Sequence, residues 1–242
     1  MDIAQLTPDQ TVLWAAGFVH LTATVVWTWA VMALMIVGGW SITRRLTAGP
    51  DPSRWQTGLE AIVSHLRQEI SEITGDRDPG RYVPFVGTLF SFIAVSNALT
   101  IVPGYIPPTA SLSTTAALAL TVLVAVPIYG IAESGLGPYL RQYLQPNVLM
   151  LPFNVIGEVS RTLALAVRLF GNVMSGVKIV AILIAIVPFF FPLVLSALAL
   201  LTGLIQAYIF AVLAMVYIAS GMRVRAAAPP STSPSTSESE HG

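Results

Sequence analysis

The last two apolar stretches constrain this chain more than any other feature. Leu151 to Val187 and Phe189 to Gly221 carry only four charges between them, Glu158, Arg161, Arg168 and Lys178. At 1.5 Å per residue they would be roughly 55 Å and 50 Å long, against a hydrocarbon layer of ~30 Å. Neither can stand upright across a bilayer, and neither contains a hydrophilic loop that would divide it into two spans. The pattern predicts a hairpin of two long, strongly tilted or partly in-plane helices. Its hinge is Pro188 to Pro192, where prolines interrupt the backbone ladder.

Three shorter runs, Leu21 to Thr43, Tyr82 to Pro103 and Ser113 to Ala132, carry no charge, and each approaches the ~20 residues of an ordinary span. With 55% hydrophobic residues, 10% charged and a mean hydropathy of +0.74, the chain has too much apolar surface for one water-soluble core. The expectation is an all-α integral membrane fold with about five membrane helices. Residues 1–20 form an outer N-terminal segment, 21–225 a single transmembrane domain, and 226–242 a Pro-, Ser- and Thr-rich tail with nothing to bury. The acidic start MDIAQLTPDQ lacks the marks of a cleaved signal, so the first helix is expected to be retained.

Orientation follows from arginine. Arg44, Arg45, Arg54, Arg67, Arg77 and Arg81 fall between the first two spans, Arg141 follows the third, and Arg223 and Arg225 follow the fifth. The alternate connections, Gly104 to Leu112 and Pro188 to Pro192, carry no charge. Positive-inside counting places the N-terminus outside and the C-terminus in the cytoplasm. Between the first two spans, Trp55, Leu59, Ile62, Leu66, Ile70 and Ile73 form one helical stripe. This amphipathic helix suits the cytoplasmic membrane face, and equally well a helix packed on another subunit.

Twelve basic and twelve acidic residues balance, so no overall field points to nucleic acid. There is no cysteine, and His20, His65 and His241 lie far apart, which argues against a metal site or cofactor. Function must rest on local charge. A charge at bilayer depth costs from ~3 to more than 10 kcal/mol and normally faces protein or water. Arg168 lies deepest, with apolar neighbours on both sides, and a guanidinium stays protonated in proteins. Arg161, Arg168, Asn172 and Ser175 share a helical face with the small residues Ala164 and Gly171. Ser196, Ala199, Gly203, Gln206, Phe210, Ala214 and Tyr217 form a matching stripe on the last helix. Neither stripe supplies a carboxylate for Arg168. Glu158 sits at i,i+3 from Arg161, the spacing of an ordinary structural pair, so the anion for Arg168 belongs to another polypeptide.

RLFGN, preceded by EVSRTLALAV and followed by LIQAYIFAVLAMVYIAS, resembles the signature of the F-type ATP synthase subunit a family. LEAIV, FIAVSNALTIVP and PTASLSTT extend the similarity over most of the chain. The resemblance implies that Arg168 is the essential stator arginine, with Asn172 and Gln206 its polar companions and Asn97 the polar residue of the second span. It implies partners as well: a ring of c subunits, b-type peripheral stalk subunits and, through the stalks, the F1 sector, all at a bacterial inner membrane. It implies an ion-translocating subunit in which two half-channels couple H+ flow to ring rotation and to ATP synthesis or hydrolysis.

Departures from the family pattern bear on the ion. Val177 stands where a carboxylate is usual, Ala199 where many members have histidine, and Thr100 and Ser111 replace acidic residues. Thr162 takes a common proline position. In this the chain resembles the divergent N-type ATPases, for which sodium coupling has been proposed, so Na+ is the alternative ion. Asn97, Thr100, Ser111 and Ser175 are candidate pathway residues, with Lys178 beside them. A self-contained transporter or channel would call for inverted repeats or a complete charge-paired site, and an intramembrane enzyme for a G-x-S-x-G, H-E-x-x-H or paired-aspartate motif. None is present, nor is a P-loop, so nucleotide chemistry is expected on partner subunits.

Overall fold

The computed structural model describes residues 12–16, 19–44, 54–75, 79–102, 104–139, 149–186 and 191–222. The tail 226–242, the hinge residue Pro188, and Arg45, Arg77, Arg141, Arg223, Arg225 and His241 lie outside the described residues. So do the side chains of His20, Arg54, Trp55 and Leu59.

A short antiparallel hairpin, β1 (Val12–Ala16) and β2 (Val19–Thr22), precedes the helices, with Ala16 opposite Val19 and Val12 opposite Thr22. Its valines, tryptophan and threonine suit a pleated ribbon. The main described elements after it are helices: α1 (Ala23–Arg44), α2 (Arg54–Thr74), α3 (Val83–Ala98), α4 (Leu112–Ser134), α5 (Met150–Ile186) and α6 (Phe191–Met222). All but α2 are long and apolar enough to cross a membrane, counting the single 3-10 turn Leu99–Ile101 as the end of α3. The two long apolar stretches fold as uninterrupted helices of 37 and 32 residues.

Where elements stop has a local cause. α3 opens with Pro84, whose missing N–H is no loss in a first turn. α4 ends at Gly135, whose φ of 83° a side chain would resist, and whose N–H bonds the Ile131 carbonyl.

Two apolar clusters hold the bundle. Leu89 and Ile93 of α3, Ala119 and Val122 of α4, Leu165, Leu169 and Val173 of α5, and Phe210 and Ala214 of α6 form the larger one. In the second, Leu66 and Ile70 of α2 pack with Tyr82, Val86, Ala211, Met215 and Ile218. The stripe on α2 therefore has a seat within its own chain, on α3 and α6, while Ile62 and Val63 stay exposed. At that end of the bundle Arg81 pairs with Glu133 at 2.7 Å. The connection between α3 and α4, which the sequence suggests is a plain uncharged loop, is instead buried from Pro107 to Ser111 among the helices. Two adjacent prolines leave fewer backbone donors to satisfy in that buried position.

Candidate functional site

α5 has two unlike sides. Leu165, Ala166, Leu169, Val173 and Met174 are buried against the bundle. Arg161, Ala164, Val167, Arg168, Gly171, Ser175 and Lys178 are exposed on the other. A 3.6-residue period explains the split, because residues seven apart differ by only about 20° in azimuth. Arg161 and Arg168 thus stand in one row, roughly 10 Å apart along the axis. Arg168 makes no ion pair within 4.0 Å among the described residues. Its surroundings on this side are Ala164, Gly171 and exposed apolar groups such as Leu163 and Val167.

One turn beyond Arg168, Asn172 turns toward α6. It lines a cavity of about 420 Å³ at the end of the bundle opposite α2. Asn97 and Thr100 of the α3 end, Tyr105 of the following loop, and Gly176, Ser196, Ala199 and Gly203 of α5 and α6 line the same space. The Asn97 amide donates to the Gly203 carbonyl at 3.0 Å, and the Asn172 amide donates to the neighbouring Thr202 carbonyl at 3.3 Å. The Thr100 hydroxyl donates to the Asn97 carbonyl at 2.6 Å. Among the described residues no carboxylate or histidine lines the cavity. Its polar character comes from neutral amides and hydroxyls.

The other expected residues lie around this space. Ser175 is on the exposed face of α5, its hydroxyl bonded to the Asn172 carbonyl at 3.0 Å. Lys178 is exposed and is not among the cavity-lining residues. Ser111 is buried at the start of α4, 2.7 Å from the Ser113 hydroxyl and also away from the cavity lining. Gln206 is 6% exposed, and its Nε2 is buried without a hydrogen-bond partner among the described residues. Such a donor costs free energy unless something outside the chain takes it. Glu158 and Arg161 share a separate cleft of about 10 Å³ with Thr162, Tyr217 and Ser220, near the limit for one water.

Two residues escaped the sequence reading. Tyr105 sits among prolines that read as an ordinary turn, yet its ring stacks edge-on to Trp27 at 4.9 Å, and its hydroxyl lies 3.4 Å from Ser96. Ser96 in turn lies 3.4 Å from the buried Thr109 hydroxyl. Burial pushes the Tyr105 phenol above its ordinary range, partly offset by the Ser96 bond. Gly203 was visible as one more small residue in a stripe, which says nothing of the asparagine seated on it. Among the described residues no three His, Asp or Glu come together to hold a metal.

The family model described as ATP synthase A chain matches residues 25–219. The chain is 55% identical over 225 residues to "ATP synthase subunit a" of Albidiferax ferrireducens, covering 93% of this chain and 97% of that protein. It is 58% identical over 219 residues to "ATP synthase subunit a 2" of Acaryochloris marina, covering 90% and 93%. To "ATP synthase subunit a 1" of Chlorobaculum parvum it is 57% identical over 220 residues, covering 91% and 97%. Five candidate spans, a long final helix pair and these matches along nearly the whole chain together mean that this protein belongs to the ATP synthase A chain family, as a membrane-sector stator subunit of an F-type ATP synthase.

Proposed function

We propose that Arg168 is the fixed positive charge at which ion-carrying carboxylates of a rotating c-subunit ring are discharged and reloaded. The observation that carries this reading is an exposed arginine on a helix face that includes small residues, without an ion-pair partner among the described residues, one turn from a residue lining a cavity. A ring carboxylate arriving neutralised loses its ion beside Arg168, because a nearby positive charge stabilises the ionised form. Ala164 and Gly171 allow the ring helix to approach. The same positive charge repels a cation that would otherwise cross directly between the two half-channels.

In this reading the cavity walled by Asn97, Thr100 and Asn172 is the outer half-channel. Ser175, Lys178 and Ser111 border the path around it, and Gln206 supplies a buried donor beside it. Glu158 and Arg161 neutralise each other at the cytoplasmic end. The subunit lies in a bacterial inner membrane with its N-terminus outside and its C-terminus in the cytoplasm. It works with the c ring and b-type stalk subunits, and nucleotide chemistry belongs to the F1 sector.

H+ is the first reading for the coupled ion. Na+ is the second, favoured by a cavity whose polar lining is entirely neutral oxygen and nitrogen, since hard monovalent and divalent cations take oxygen ligands readily while a proton relay needs titratable groups. Arg168→Ala in the assembled complex tests the central claim. Ion-driven ATP synthesis should be lost, and its survival at the parental rate would refute the assignment. Hydrolysis by the same complex, measured with and without sodium, separates the two ions.

A further inference from the structure

Asparagines from two different helices donate to consecutive carbonyls of α6. Asn97 of α3 bonds Gly203, and Asn172 of α5 bonds Thr202. Within an α-helix these two carbonyls also accept from the N–H groups of Ala207 and Gln206. The turn of α6 that leads into Gln206 is therefore gripped from two sides, and both grips border the cavity.

Asn97 can hold this position only because residue 203 has no side chain. A Cβ there would stand 2.9 Å from the Asn97 Cγ and 3.1 Å from its Cβ and Nδ2. Asn97 is 3% exposed, so it has little room to withdraw. Close helix approach alone would ask for a small residue at 203, and alanine would often serve. The contact distances here admit glycine alone unless Asn97 moves.

We infer that Gly203 is a positioning residue for ion passage: it seats the Asn97 carboxamide, and so fixes both the cavity wall and the azimuth of the turn carrying Gln206. The inference rests on the cavity being the ion path, as proposed above. Gly203→Ala pushes the amide off its carbonyl and breaks one of the two grips, while leaving every chemical group of the pathway in the chain.

The test uses the whole complex in membrane vesicles. Ion-driven ATP synthesis is measured against the concentration of the driving ion, with protons and sodium titrated separately and rates normalised to the subunit retained. Gly203→Ala should lower turnover about five-fold, the scale of one lost hydrogen bond, and should also shift the half-saturating ion concentration. Asn97→Ala should produce a similar loss. The Gly203→Ala, Asn97→Ala double variant should be no worse than either single change, because both act through one contact. Gly87→Ala on α3, where a Cβ meets nothing within 4 Å, should leave both quantities unchanged.

Parental turnover and half-saturation in Gly203→Ala, multiplicative losses in the double variant, or an equal loss in Gly87→Ala would each overturn the inference. If Gly203→Ala fails to assemble, the double variant decides, since it removes the Asn97 Cγ and Nδ2 that a Cβ at 203 would meet at 2.9 and 3.1 Å and leaves only the 3.1 Å approach to the Cβ of residue 97. Restored assembly with impaired flux supports the positioning role, and restoration of both sinks it. Arg168→Ala, run alongside, keeps the two levels apart. Loss there with normal flux in Gly203→Ala defeats only the role of Gly203, whereas intact flux in Arg168→Ala defeats the underlying assignment.

Discussion

Gln206→Leu should strengthen the protein while weakening its activity, and the opposed signs make it the most informative single change. The Gln206 Nε2 is buried with no hydrogen-bond partner among the described residues, in a side chain only 6% exposed. An unsatisfied buried amide costs about 1–3 kcal/mol in desolvation, and replacing it by an apolar group of similar shape removes that cost. Polar groups between membrane helices average toward the lower end of such ranges, so a gain of about 1 kcal/mol is the reasonable expectation. Because the gain concerns the resting subunit and the loss concerns the working complex, the two are measured separately. Retention of the subunit in the complex is followed against temperature, and ion-driven ATP synthesis is measured at a permissive temperature. The subunit should be released at higher temperature than the parent while synthesis falls about ten-fold, as when an interaction made only during turnover is removed. Gln206→Ala supplies the contrast, since the void it leaves at this buried position should lower thermal retention. A Gln206→Leu variant that lost stability and synthesis in parallel would show the amide to be ordinary interhelical glue. Unimpaired synthesis would remove it from the pathway altogether.

Two other outcomes follow from the packing. Leu66→Ala with Ile70→Ala strips α2 of its two buried anchors, 5% and 1% exposed, at a cost of about 2–5 kcal/mol per residue; amide hydrogen exchange over residues 60–74 should rise sharply while exchange in α5 stays slow. For Tyr105, desolvation raises the phenol pKa above 10.0 in the folded chain. A raised folded-state pKa means a stabilising contribution that is complete below the unfolded value and is lost as pH climbs through the folded one. Thermal retention of the parent should therefore decline above about pH 10, and Tyr105→Phe should show a shallower alkaline decline.

The helices were legible because they depend on local patterns that water and lipid enforce everywhere. Long apolar runs, four of them free of charge, pointed to five spans, and the lack of a hydrophilic loop between Leu151 and Ile186 argued against dividing α5. The exposed row of Arg161, Arg168 and Ser175 was legible for the same reason, since helical period alone aligns it. Asn172, assigned to that row, turns instead toward α6, because its azimuth lies at the edge of the stripe and a backbone carbonyl is within reach there. Contacts made across long sequence separations could not be read. Asn97 and Gly203 are partners 106 residues apart, and no spacing rule connects them. The burial of Pro107 to Ser111 was hidden too, because the composition of a buried wedge rich in proline and small residues is that of a surface turn. The α2 stripe announced a seat without saying whose.

The open side of α5 has a mechanical consequence. Leu163, Val167 and Ile179 are 63%, 51% and 51% exposed there, interspersed with Ala164 and Gly171, and Arg168 lies among them. A surface of this kind offers a moving neighbour almost nothing directional to hold. Dispersion between carbon atoms is worth about 0.1–0.2 kcal/mol per pair and changes little when one atom is exchanged for the next, whereas each hydrogen bond would form a discrete trap. Sliding along its apolar stretches meets low friction. On the reading proposed above, resistance concentrates at the exposed cations Arg161, Arg168 and Lys178, so the stopping points of the motion are set by charge, and the apolar flanks serve as its bearing.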